Sequence, residues 1–92
     1  MKVKVMFLGP LAEFIGRPTV EFDLPDKATY GDLLDDIGSR FGDKLHPRIW
    51  DHEKRFFKAQ VLVVGAGRDH EARETPLLEN EDIKIIPFLP GG

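Results

Sequence analysis

The sequence predicts an α+β domain, a mixed sheet with one main helix packed across one face. Two observations at the ends of the chain and one in its middle predict it. Val3, Val5 and Phe7 alternate with Lys2, Lys4 and Met6, and Ile83 to Ile86 read as a final strand near the other end. Leu33, Leu34, Ile37 and Phe41 fall on one helical stripe, with Asp35, Asp36, Ser39 and Arg40 on the other side. A helix with a single apolar face requires a sheet beneath it.

Ninety-two residues allow one small domain. A chain of this size buries about 60–65% of its unfolded surface, enough for a core but not for a large enclosed active site. Hydrophobic residues at 41% and charged residues at 32% describe a folded, water-compatible chain and exclude a disordered one. The absence of cysteine excludes disulfides, thiolate metal sites and a cysteine nucleophile, and suits a reducing cytoplasm. A net charge of −3 has the wrong sign for a nucleic-acid footprint. No apolar stretch approaches bilayer length, so no membrane partner is expected.

The elements follow in order. Strand one is expected from about Val3 to Leu8, ended by Gly9-Pro10. Lys2, Lys4 and the apolar residues after them faintly imitate a signal peptide, but Gly9-Pro10 and Glu13 break it, and a cytoplasmic chain is expected. Leu11 to Ile15 fit one helical turn closed by Gly16, with Pro18 barring its continuation. Val20, Phe22 and Leu24 alternate with polar residues, giving a second strand antiparallel to the first. Thr29 is the expected N-cap of the main helix, with Asp32 completing a capping box and Gly42 as its stop.

Residues 43–58 carry Trp50, Leu45, Ile49, Phe56 and Phe57 among charges, and are expected to form an ordered loop over one sheet edge. Gln60 to Val64 read as a strand buried on both faces. Arg68 to Glu74 are expected to be exposed, Thr75 to Leu78 to tuck toward the core, and Glu79 to Asp82 to form a solvated turn. His46, His52 and His70 are expected on the surface, with no metal site. Asp51-His52-Glu53 is no triad, because neighbours on a loop do not face one another, and Gly65-Ala66-Gly67 lacks the lysine and helix entry of a phosphate loop. A helix across a four- or five-stranded sheet with the terminal strands side by side is the β-grasp, or ubiquitin-like, arrangement.

Residues 1–87 are expected to form the single domain and residues 88–92 an extended diglycine tail. Pro87 and Pro90 lack backbone donors, so they are expected to end sheet pairing and hold the segment extended. Phe88 and Leu89 are apolar anchors. Gly91 and Gly92 have no Cβ, so the last backbone atoms fit a passage closed to other residues. A carboxylate on such a tip becomes a good acyl donor once it attacks the α-phosphate of ATP. The second catalytic site then belongs to a partner.

On these residues the chain resembles the ubiquitin-like sulfur carriers of the MoaD/ThiS type. The resemblance rests on Lys2 to Leu11, on Ala28-Thr29-Tyr30-Gly31-Asp32-Leu33-Leu34, and on Thr75-Pro76-Leu77 followed by Asp82 to Pro87 and the diglycine end. It implies a protein co-substrate and not an enzyme: an E1-like adenylyltransferase would adenylate Gly92, and a sulfur donor protein would convert it to a thiocarboxylate. Phe88, Leu89, Pro90 and Gly91 would bind partners. No cofactor would be bound by the chain, ATP being consumed by the activating partner. Sulfur would pass to a pterin precursor if the chain is the small subunit of molybdopterin synthase, with that enzyme's large subunit as a further partner.

Phe88-Leu89-Pro90 stands where molybdopterin-type members usually carry proline, valine and alanine, and Gly65-Ala66-Gly67 where they carry asparagine-glycine. The pathway therefore stays open among molybdopterin, tungstopterin, thiamine, cysteine and tRNA thiolation. Two other readings stand beside the carrier: a ubiquitin-like modifier joined to lysines through Gly92, and a β-grasp binding module without tail chemistry.

Overall fold

A computed structural model describes residues 1–58, 60–70 and 72–88. Strands β1 (Lys2–Phe7), β2 (Thr19–Asp23), β5 (Val61–Gly65), β6 (Arg68–Asp69) and β7 (Asp82–Pro87) form one sheet in the order β2-β1-β7-β5-β6. β1 is antiparallel to β2 and parallel to β7, and β5 is antiparallel to both β7 and β6. The first and last strands thus lie side by side at the sheet's centre, as the β-grasp reading required.

Alternation along the strands decides what the sheet buries. Val3, Val5 and Phe7 of β1, Phe22 of β2 and Ile83 and Ile85 of β7 all point into one cluster. Helix α2 (Tyr30–Phe41) closes that cluster with Leu33, Leu34 and Ile37, and Phe41 packs edge-on against Phe7 and Phe22. Its start is the capping box read from the sequence. The Thr29 hydroxyl accepts from the Asp32 amide at 3.3 Å, and the Asp32 carboxylate accepts from the Thr29 amide at 2.9 Å. The short helix α1 (Pro10–Ile15) ends at Gly16, whose φ of 95° is left-handed backbone that favours glycine.

Gly42 caps α2 as expected, though in helical and not left-handed backbone: its φ is −52°, and the chain tightens into a 3-10 turn over Gly42–Lys44. Small size matters at Gly38, one turn earlier, where a Cβ would stand 3.1 Å from Trp50 Cζ2. Two expectations need correction. Residues 43–58 are correspondingly more than a loop over the sheet edge. They fold into an antiparallel ribbon of β3 (Trp50–Asp51) and β4 (Phe56–Phe57) that seats Trp50, 1% exposed, against α2. Phe57 meets the indole edge-on at 4.8 Å between ring centres.

The second correction concerns β5, which is not buried on both faces. Val63 alone is fully buried, while Val61, Leu62 and Val64 are half-buried. A continuous apolar run reads as buried twice when both faces are covered. Here α2 lies on one face, and the described residues supply no second layer for the other.

The cap gives a direct test. Thr29→Ala should lower unfolding free energy by about 1 kcal/mol. Denaturant titration followed by the fluorescence of Trp50, the single tryptophan, would read it.

Candidate functional site at the root of the C-terminal tail

Strand β7 fixes the position of Phe88, the last of the described residues. Ile85 is paired with Phe7 on one side and Val63 on the other, and the Leu8 amide donates to the Ile85 carbonyl at 3.0 Å. Pro87 does not end the pairing, contrary to the sequence reading. It stands opposite Val61 inside β7, and the Phe88 amide donates to the Gln60 carbonyl. Proline removes only its own N–H, so a ladder can continue through the next residue's donor. Gly9, at φ 59°, brings the loop between β1 and α1 against this end of β7, where a Cβ would stand 3.6 Å from Pro87 Cγ.

Phe88 is 55% exposed, so its ring is available at the surface while its amide is held. The other residues singled out for function, Leu89, Pro90, Gly91 and Gly92, lie outside the described residues. Two clefts flank the root. One of about 300 Å³ opens between α1 and the segment around His46 to Ile49, with Pro87 in its wall. The other, about 430 Å³, lies between β4 and β5 and is lined by Tyr30, Phe57, Leu62, His70 and Phe88 among others.

The largest departure from the sequence reading lies at the far end of β7. His70 and Glu81, both expected in solvent-facing segments, are buried at 3% exposure each. His70 Nε2 and Glu81 Oε2 share a hydrogen bond of 2.9 Å. The same carboxylate accepts from the Ala66 amide at 3.1 Å and the Leu78 amide at 2.9 Å. Several donors on one carboxylate offset the cost of burying it. Gly65 makes the space, since a methyl there would overlap both the carboxylate and the imidazole. His70 Nδ1 is buried with no hydrogen-bond partner among the described residues, and the ring stacks on Tyr30 at 5.3 Å.

One signal in the sequence pointed to Glu81: it continues the inward row of Ile83 and Ile85 at a spacing of two. His70 carried no such signal. The pair ties the β5–β6 turn to the start of β7, the opposite end of that strand from Phe88.

Burial raises the pKa of the Tyr30 phenol well above its ordinary value, partly offset by the Arg73 cation. Arg73 itself joins three elements. It donates to the Arg55 carbonyl at 2.9 Å and the Gly31 carbonyl at 3.2 Å, and pairs with Asp35 at 2.8 Å. The segment expected to be fully exposed is therefore pinned across the start of α2.

The remaining candidates are peripheral. His46 and His52 are exposed as expected, and His46 Nδ1 accepts from the Arg48 amide at 3.0 Å. Asp51 caps the turn of the β3–β4 ribbon, accepting from the Lys54 and Glu53 amides at 2.9 and 3.0 Å. The Lys54 amide is the chief cause that lowers its pKa. Among the described residues no group of three or more His, Asp or Glu gathers where a metal could sit, and no helix is long and apolar enough to cross a membrane.

The sheet order and the helix across it define a ubiquitin-like β-grasp fold. Comparison with solved structures bears out that fold. The chain is similar to small archaeal modifier protein 1 from Haloferax volcanii, with 24% identity, all of both chains covered and a TM-score of 0.79. It is similar to the putative molybdopterin converting factor subunit 1 from Pyrococcus furiosus, with 22% identity, 97% and 99% of the two chains covered and a TM-score of 0.73. A chain of the Amycolatopsis orientalis BexX/CysO complex matches with 24% identity, 98% and 99% covered and a TM-score of 0.71. The resemblance to MoaD/ThiS-type proteins therefore holds at the level of fold. No protein-family model and no curated protein matches the chain.

Two measurements test the buried pair and its neighbour. Glu81→Ala removes one partner of a buried pair and should cost about 3 kcal/mol in unfolding free energy, read by chemical denaturation. Tyr30 is the single tyrosine, so tyrosinate absorbance reports it alone. Its phenol binds a proton more tightly folded than unfolded. The associated stability is thus complete below the unfolded value of about 10 and is lost as pH rises beyond it. Tyr30→Phe should flatten that alkaline loss of stability.

Proposed function

We propose that the chain is a sulfur carrier whose terminal Gly92 carboxylate is the reacting group. The observation that carries this reading is the way β7, clamped between β1 and β5, ends on an exposed Phe88, after which the sequence reads Leu89-Pro90-Gly91-Gly92. The body supplies rigidity, and residues 88–92 serve as the tail, beyond the domain of residues 1–87. Gly92 attacks the α-phosphate of ATP on an E1-like adenylyltransferase, releasing pyrophosphate and forming an acyl-adenylate. A sulfide equivalent from a sulfur donor protein then attacks the acyl carbon and AMP departs, leaving a thiocarboxylate. Phe88, Leu89, Pro90 and Gly91 are the partner-binding residues. The chain needs no bound cofactor of its own and works in the cytoplasm. Among possible acceptors a molybdopterin or tungstopterin precursor is favoured, with the chain as small subunit of a synthase. The similar Pyrococcus furiosus protein, described as a molybdopterin converting factor subunit, supports that choice.

A second reading draws on the Haloferax volcanii protein, which is described as a modifier. The same adenylate taken by a lysine amine would end in an isopeptide bond and a conjugate.

Intact mass after co-expression with an E1-like adenylyltransferase and a sulfur source separates the two. A gain of about 16 Da marks exchange of oxygen for sulfur, whereas high-mass conjugates through lysine mark modification. Neither product would favour a binding module instead. Deleting Gly92 should abolish pyrophosphate release by the activating enzyme while leaving the melting temperature nearly unchanged. Normal adenylation of the truncated chain would overturn the assignment.

A further inference from the structure

The cleft beside the tail root has features that the carrier chemistry alone does not require. Leu11 and Ile49 are buried at its base, at 0% and 4% exposure. Pro10, Phe14 and Pro87 complete its apolar lining, and Phe14 stays 39% exposed. His46 and Arg48 are exposed beside them. Although the chain as a whole carries a net charge of −3, the one fixed charge among the described residues lining this cleft is the positive charge of Arg48. The cleft therefore combines a small apolar floor with a local sign opposite to that of the molecule.

Position supplies the occupant. Pro87 lines the cleft, and the five residues from Phe88 to Gly92 can span at most about 17 Å whatever path they take. Any enzyme that holds Gly92 in its active site is brought within that distance of the cleft. We propose that the cleft between α1 and residues 46–49 is a docking site for the activating enzyme, taking a segment of it that presents an apolar side chain beside a carboxylate. The side chain fills the space over Leu11 and Ile49 against Phe14, and the carboxylate pairs with Arg48. This rests on the carrier reading above and adds a second, tail-independent contact to it. Such a contact holds the body while the tip reacts, so it sets affinity and leaves the chemical step alone.

The test is steady-state pyrophosphate release by the purified E1-like adenylyltransferase with the full-length chain as varied substrate. Phe14→Ser and Arg48→Glu should each raise KM for the chain about tenfold with kcat unchanged. Phe14→Leu should restore it, and Glu21→Lys, on the far strand β2, should leave it unaltered. Both cleft positions are exposed, and melting temperatures would confirm that the variants fold. Unchanged KM in both cleft variants, or a fall in kcat at constant KM, overturns the docking site while the carrier reading stands. No pyrophosphate release from the wild-type chain overturns both.

Discussion

The parallel pairing of β1 with β7 is the constraint from which the rest of the molecule follows. Parallel strands cannot be joined by a tight turn, so the chain between them must make a long crossover, and α2 occupies it. Because side chains alternate with period two, a slip of one residue would turn Ile83, Ile85 and Glu81 out of the core together. The buried His70–Glu81 pair at one end of β7 and the ladder to Val61 at the other make that slip costly. Phe88, which follows Pro87, consequently has a fixed position at the end of the strand.

Around that strand the rest of the domain is fastened by close packing and hydrogen bonds. Gly38 opens one flank of α2 to Trp50, and the ribbon of β3 and β4 fastens there. Arg73 ties the ribbon, the helix start and the segment before Pro76 into one unit. A domain of this kind is suited to presenting a group for others to act upon, which is the logic of the proposed carrier role.

Much of this was legible in the residues. Strands β1, β2 and β7 alternate cleanly, and the stripe and cap of α2 sit where Thr29, Asp32 and Leu33 said they would. The remainder was hidden for identifiable reasons. Residues 43–58 pair only two residues per strand, too few for periodicity to register, and their apolar side chains pack on small helix positions that no local pattern reveals. His70 and Glu81 are far apart in sequence and each sits among polar neighbours, so charge patterning assigned them to solvent. Their burial is made favourable by a tertiary hydrogen-bond set that only the folded chain assembles. Of the candidate site, its root is visible here, with Phe88 exposed and its amide held.

The central proposal is that activation occurs at one carbonyl carbon, that of the last glycine. Hydroxylamine added during turnover with the activating enzyme and ATP traps an activated acyl group as a hydroxamate, and fragment mass spectrometry locates it on the chain. A hydroxamate on Gly92 alone is the expected result. A hydroxamate on an aspartate or glutamate side chain, or none while ATP is still consumed in a chain-dependent way, would contradict it.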